Sequence, residues 1–414
     1  MKKLLMCSAA VALGLAVAHP AKADGIKLDL AGHFKGYVTW ESQDNNGAPA
    51  GTEERHFDIL RTTEIHFTGE TTLDNGLTVG VHDEADIDGQ YAGNGDYFQT
   101  QESYAYFSGA WGRVNFGKED GANYLLQVAA PSADDNYDGL RQYINPFNGA
   151  LTGAGTLARG SSGGGAGAGG GVRGFINTDK LDYSDDQTGY ANKLTYLTPV
   201  WSGFQAGGSY TPSNGLQRGG DGFGFTDGSK AFGVSQQNAA GAYGDSWEGA
   251  LRYEGKWQEL GVTLGGGYTH TQYTASSATD QNDAFNQWNL GADLTWQQFG
   301  LGGVYTTDNG GLHNDGQNRT WVLGVDYTTG PFKIGGSYLN NHEGLGDNGF
   351  GGASNGNLDS QRWAPGVVYT YGPGMTFRGS VGWVRSSLPD EGGNVGVGGH
   401  LSSTDVLLGT QINF

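Results

Sequence analysis

Leu28, Leu30, Gly32, Phe34, Gly36, Val38 and Trp40 alternate with Asp29, Ala31, His33, Lys35, Tyr37, Thr39 and Glu41. A period of two sends successive side chains to opposite faces, so the segment predicts a β-strand with one apolar and one polar face. The alternation returns in pairs of runs joined by short turns. Ile65 and Phe67 lead through Asp74-Asn75-Gly76 to Leu77, Val79 and Val81, and Asn-Gly between alternating runs is a strong hairpin signal. Glu102 to Ser108 turns through Gly109-Ala110-Trp111-Gly112 into Arg113 to Gly117, and Asn192 to Thr198 turns through 199 to 203 into Phe204 to Thr211. Ser246 to Tyr253 turns near Trp257 to Gly261 into Val262 to Thr269, and Gln287 to Trp296 turns through Gln297 to Gly300 into Leu301 to Thr306. Arg319 to Tyr327 turns at Gly330-Pro331 into Lys333 to Leu339, and Arg362 to Tyr371 turns at Gly372-Pro373-Gly374 into Thr376 to Arg385. Seven hairpins and two terminal strands, 28 to 41 and 405 to 414, make sixteen strands.

The connections on the other side are longer and polar: Gln43 to Glu54, Asp86 to Gly95 and Pro212 to Gly244. The longest runs from 120 to 189 and contains the glycine run Gly163 to Gly171, read as a flexible spacer. A connection of that length inside an ordered domain is usually functional. Strands with one apolar face can cross a bilayer when the sheet closes on itself, because closure satisfies every backbone hydrogen bond. The expected fold is therefore all-β: a sixteen-stranded antiparallel transmembrane β-barrel with short periplasmic turns and long extracellular loops. A barrel of that size leaves an aqueous lumen.

Composition sharpens this picture. The 76 glycines stand beside 18 Phe, 10 Trp and 21 Tyr, which excludes a disordered or collagen-like chain. In the barrel, glycines and aromatics are expected to alternate on the lipid-facing rows, with further glycines in the turns. Residues 1 to 23 read as a signal peptide: Lys2 and Lys3, an apolar run from Val11 to Val17, then Ala21-Lys22-Ala23 before Asp24. Residues 24 to 414 then form the barrel, free of thiols because Cys7 leaves with the signal. Losing three lysines takes the net charge from −20 to −23, which repels phosphate backbones and excludes nucleic acid as a partner. No run of 18 apolar residues suggests a membrane helix, and mean hydropathy is −0.46.

Several segments carry a family resemblance: 69 to 77, Trp111 to Gly117, Tyr196 to Pro199 followed by Ser202-Gly203-Phe204, and the terminal series Val406, Leu408, Thr410, Ile412 and Phe414. With the strand count, they resemble the sixteen-stranded general porins of Gram-negative bacteria over almost the whole mature chain. The resemblance implies a passive diffusion channel for small hydrophilic solutes and ions in the outer membrane. It also implies a homotrimer in contact with outer-membrane lipid and lipopolysaccharide. Phe414 would be the signal read by the barrel-assembly machinery, and the third loop, 120 to 189, would fold into the lumen as a constriction. That loop holds Asp134, Asp135, Asp138 and Pro146-Phe147-Asn148-Gly149, the last similar to a segment of that loop in related porins, while its glycine run departs from the shorter enteric form.

By alternation the lumen-facing ionisable groups include Lys35, Glu64, Glu84, Arg113, Lys193, Glu248, Arg252, Asp293, Asp326, Arg362 and Arg378. Asp134, Asp135 and Asp138 are expected to face Lys35, Arg113 and Lys118 across the pore, creating a transverse field. The acidic net charge suggests a weak cation preference. His33, His66 and His82 fall on the inward face of three successive strands and read as ordinary lumen residues, the alternative being a metal or pH-sensing cluster. The pairs Asp134/Asp135 and Asp185/Asp186 read as solvated carboxylates rather than calcium ligands. No metal, cofactor or catalytic residue is expected, since the chain lacks G-x-S-x-G, H-E-x-x-H and any mature thiol. A substrate-specific uptake channel on the same fold is the alternative function, and an outer-membrane enzyme a more distant one.

Overall fold

The computed structural model describes residues 25–44, 55–90, 96–147, 181–213, 240–277, 282–313, 317–344, 357–388 and 399–414. The signal segment, the glycine run and most of the long polar connections lie outside the described residues. Alternating sequences become strands β1 (Lys27–Gln43), β2 (Phe57–Thr72), β3 (Thr78–Gln90), β4 (Asp96–Gly109), β5 (Gly112–Glu119), β6 (Ala191–Leu197), β7 (Phe204–Thr211) and β8 (Ala242–Trp257). They continue as β9 (Leu260–Thr274), β10 (Phe285–Trp296), β11 (Phe299–Asp308), β12 (Asn318–Thr329), β13 (Phe332–Gly344), β14 (Asn357–Gly372), β15 (Met375–Leu388) and β16 (Gly399–Asn413). Each strand pairs antiparallel with its neighbours in sequence, and β1 pairs with β16 to close the barrel of sixteen. At the seam, Gly32 and Phe414 exchange backbone hydrogen bonds of 2.9 and 3.0 Å. A Cβ on Gly32 would strike the Phe414 ring at 2.8 Å, so the small residue seats the terminal aromatic.

The seven short turns lie where the alternation breaks. Several are tighter than the sequence suggests; in two of these Trp257 pairs with Leu260 and Trp296 with Phe299, leaving two-residue turns that put Gln258 and Gln297 at φ 56 and 54°. A two-residue hairpin needs left-handed backbone to match strand twist, and glutamine carries no signal for it.

The outer rows are apolar, with Leu28 at 85% and Leu290 at 68% exposure. Trp111, Trp201, Trp257 and Trp296 lie near the short-turn end, and Trp40, Trp247, Trp288, Trp321 and Trp363 lie toward the other. Eight residues separate Trp288 from Trp296 along β10, roughly 27 Å of strand at about 3.4 Å per residue. Allowing for tilt, the two aromatic girdles bracket an apolar band of membrane height.

Candidate functional site

The chain leaving β5 turns into the barrel instead of outward. It forms a four-residue helix α1 (Ala122–Leu125), an extended run to Ala133, and a second short helix α2 (Asp135–Asp138) whose N-cap Asp134 accepts from the Asn136 N–H. After Phe147 the described chain resumes at Leu181 and returns to β6.

Inward-facing glycines make the track for this loop. A Cβ on Gly265 of β9 would lie 2.7 Å from Val128 Cγ2, one on Gly291 of β10 2.8 Å from Val128 Cβ, and one on Gly302 of β11 2.8 Å from Pro131 Cδ. Gly324 of β12 lies under the Pro131 carbonyl, Gly267 under Asn123, and Gly382 of β15 under the Tyr137 hydroxyl. The expectation that strand glycines belong to the outer rows therefore holds for Gly32 and Gly36 but is corrected for Gly265, Gly267, Gly291, Gly302, Gly324 and Gly382. These face inward, because the loop comes too close for a side chain.

The same strands offer inward apolar residues. Ala130, Phe147, Leu181 and Tyr183 of the loop pack on Val304, Val322, Leu339 and Val384, and Tyr137 and Ile144 pack with Tyr37, Ala364 and Leu407. Burying such side chains contributes roughly 1.5–3 kcal/mol each. Polar anchors set the loop's register. The Ser209 hydroxyl accepts from the Ala122 N–H (2.8 Å), Asn123 donates to Thr269 (2.8 Å), and Asn289 and Gln287 both donate to Asp185 at 2.7 Å. At the base, the Arg141 guanidinium donates to Asp120 (3.1 Å) and Asp186 (3.2 Å) and lies over the Tyr124 ring, 4.3 Å from its centroid.

The loop aspartates divide into three roles. Asp134 is 1% exposed and accepts from the Tyr37 hydroxyl (2.8 Å), the Ser380 hydroxyl (3.1 Å) and the Arg378 guanidinium (2.9 Å). Asp135 also takes Arg378, but its side chain is 68% exposed and opens to the lumen. Asp138 points into the wall, where Ser337 donates to it at 2.9 Å and Arg362 supplies positive charge. Reading Asp134 and Asp185 as solvated is thus corrected, since both are buried and held by wall residues.

The expected basic partners are corrected too. Arg378 and Arg362 face the aspartates, because the loop tip reaches around to β14, β15, β16 and β1. Lys35 is within charge reach of Asp135, yet its ammonium sits 3.1 Å from the centroid of the Tyr143 ring. Arg113 donates to Asn115 (2.6 Å) and stacks over Tyr106 at 4.0 Å. Lys118 occupies the same row as Val114 and Phe116, facing away from the lumen, and donates to the Thr100 carbonyl. Arg252 faces inward and anchors the loop through the Gln127 carbonyl (2.9 Å). Arg362 also faces inward but is 0% exposed, covered by α2 and donating to the Tyr137 carbonyl (3.0 Å).

Sequence reading missed Tyr37, Tyr137, Tyr143, Arg141, Asp405 and Ser380, which latch the loop to its wall or tie its base. Their trace is a failure of alternation: Trp321-Val322-Leu323 and Val406-Leu407-Leu408 are apolar on both faces, as expected of strands covered on both sides.

Burial pushes the Asp138 carboxyl up to about 7, against the opposing pull of Arg362. A free aspartate titrates near about 4. Between those values the docked loop holds a proton that the released loop has given up, so docking weakens as pH rises from about 4 to about 7. Once corrected for the intrinsic pH dependence of amide exchange, protection of residues 134 to 147 is expected to fall across that window in the wild type, whereas Asp138→Asn flattens the dependence. Equal pH profiles would refute the assignment.

On the wall from β1 to β4, His33, Glu64, His66, Glu84, His82 and Glu102 form a continuous inward row, with Tyr143 of the loop edge-on to His33 at 6.2 Å. The arrangement is a lumen narrowed by a packed loop, with one open carboxylate, Asp135, and an imidazole-carboxylate wall.

A family model described as Gram-negative porin matches residues 8–388. The fold is similar to an anion-selective porin from Comamonas acidovorans, at 18% identity and TM-score 0.57, covering 94% of this chain and 100% of that one. It is also similar to Salmonella typhi OmpF in complex with daunomycin (16% identity, TM-score 0.55, 94% and 98% covered). A loop L8 deletion mutant of OmpT, an outer membrane protein of Vibrio cholerae, gives 13% identity and TM-score 0.53, with 94% and 100% covered. At these identities the likeness is one of fold. No curated protein sequence matches the chain.

Proposed function

The chain belongs to the Gram-negative porin family and forms a solute channel in the bacterial outer membrane, and from that premise we propose passive, size-limited diffusion of small hydrophilic solutes and ions with cations preferred. The observation that carries this reading is the loop across the lumen, which leaves the Asp135 carboxylate open to the water path, with Glu64, Glu84 and Glu102 on the inward row of the same channel. Carboxylates in a narrow, low-dielectric passage concentrate cations. Family alone does not set the sign, since one structural neighbour is an anion-selective porin.

Family and fold point to a channel rather than an enzyme. The remaining parts of the reading are that residues 1–23 are removed on export, that residues 120–189 act as the constriction loop, that Phe414 addresses the chain to the assembly machinery, and that three copies assemble among lipid and lipopolysaccharide. Placement of Phe414 at the barrel seam supports its role, because closure waits on that strand.

Planar-bilayer recordings in a salt gradient test the reading. The wild type is expected to give a cation-side reversal potential. Neutralising Asp134, Asp135 and Asp138 together is expected to move it toward zero, with Asp135→Asn alone giving most of the shift because the other two are buried. Unchanged selectivity and conductance in the triple variant would remove the constriction assignment. Saturable uptake of one solute in liposome swelling, in place of a size-graded series, would favour the specific-channel alternative.

A further inference from the structure

Beyond diffusion, the inward row on β1 to β4 has donors spaced for a metal ion. Strand register builds it: His33 pairs with Glu64 across β1 and β2, His66 with Glu84 across β2 and β3, and Glu84 with Glu102 across β3 and β4. Paired residues share a face, so imidazoles and carboxylates interleave. Glu64 Oε2 lies 3.5 Å from His33 Nε2 and 3.8 Å from His66 Nε2, while His66 Nδ1 lies 3.3 Å from Glu84 Oε2. The donor atoms of His33, Glu64 and His66 all fall within 4.8 Å of one another, and so do those of His66, His82 and Glu84.

We propose that this wall is a binding site for a divalent transition metal of the zinc class, held by two histidines and one glutamate with His66 common to both donor sets. Ligands at roughly 2.0–2.1 Å around a tetrahedral ion stand about 3.3 Å apart, so these donors need only small side-chain rotations to close on one. Two features hold the rings for this task. The Thr68 hydroxyl shares a 3.0 Å hydrogen bond with His82 Nδ1, leaving Nε2 to face the row, which is the outer support that metal-binding imidazoles use. His33 Nε2 is buried and makes no hydrogen bond among the described residues, while Tyr143 of the loop packs edge-on against the ring. Imidazole nitrogen selects zinc, cobalt or nickel over magnesium and calcium, which prefer all-oxygen shells. Two histidines and one carboxylate leave a coordination position open to the lumen, where water or a passing solute can occupy it. A bound dication here adds positive charge at the level of the constriction.

The test uses the full purified protein in detergent, with Co2+ as an optical probe and Zn2+ as competitor. The wild type is expected to develop a saturable visible absorption band that zinc abolishes. His66→Gln removes the ligand common to both sets and is expected to lose the band, whereas His313→Gln, at the exposed His313 and Asp283 pair, keeps it. The double variant Glu64→Gln, Glu84→Gln, of nearly unchanged volume, removes the carboxylate of each set, is expected to weaken binding at least tenfold and guards against a folding defect in the first variant. In planar bilayers zinc is expected to lower the conductance of wild-type channels and leave His66→Gln channels unaffected. Equal cobalt bands, or equal zinc responses, in wild type and His66→Gln would overturn the proposal, as would a band that magnesium abolishes and zinc does not.

Discussion

Gly324→Val is expected to raise single-channel conductance and the size limit for sugars in liposome swelling, by lifting the loop from its wall. Gly324 faces inward on β12, and a Cβ there would meet the Pro131 carbonyl, with the Pro131 nitrogen only 3.1 Å away. The atoms it meets are backbone, which cannot rotate aside. Overpacking of this kind costs about 1–3 kcal/mol, and the cheaper response is for the loop to give way, since sixteen paired strands hold β12 in place. Gly249→Val is the control, because a Cβ there meets nothing within 4 Å and its position on β8 faces outward. The variant should assemble normally with wild-type conductance. Equal conductance in both variants would show that the loop does not set the width of the passage.

Arg378→Gln is expected to have the second large effect. One guanidinium nitrogen serves both Asp134 and Asp135, and Asp134 is 1% exposed. Removing one member of a buried pair costs about 3–5 kcal/mol, and the lower end applies because Asp135 opens to water. The loop tip should exchange its amide protons faster and the reversal potential should move further to the cation side, since a positive charge leaves the constriction while Asp135 remains. Arg378→Lys keeps the charge but loses the Nε donor that holds the guanidinium to the Thr376 hydroxyl at 3.1 Å, so partial recovery is expected. A wild-type reversal potential and wild-type exchange in Arg378→Gln would mean that the ion pair neither holds the loop nor shapes the field.

Both experiments turn on residues whose partners lie far away along the chain, 193 positions for Gly324 and Pro131 and 244 for Arg378 and Asp134. Their side of the sheet was legible from alternation, as was that of Tyr37 and Lys35. What they touch was not. Lys118 shows the reverse case, where strict parity with Arg113 already assigns it to the outer row, and its proximity in sequence to the loop misled. Inward apolar residues such as Val322, Leu339 and Leu407 contradict the rule of a polar lumen only until the loop is laid over them.

By itself the sequence determined sixteen strands, their hairpin pairing and which face of each is apolar, because a period of two and the turn residues are local properties. It also determined that the longest connection is the third. Tertiary structure alone decided where that loop lies, why a track of glycines under it carries no side chains, which arginines meet the aspartates, and that His33, His66 and His82 interleave with Glu64, Glu84 and Glu102. These depend on strand register and on the approach of a loop to distant strands, and register around a closed barrel is a property of the whole sheet that no single strand carries.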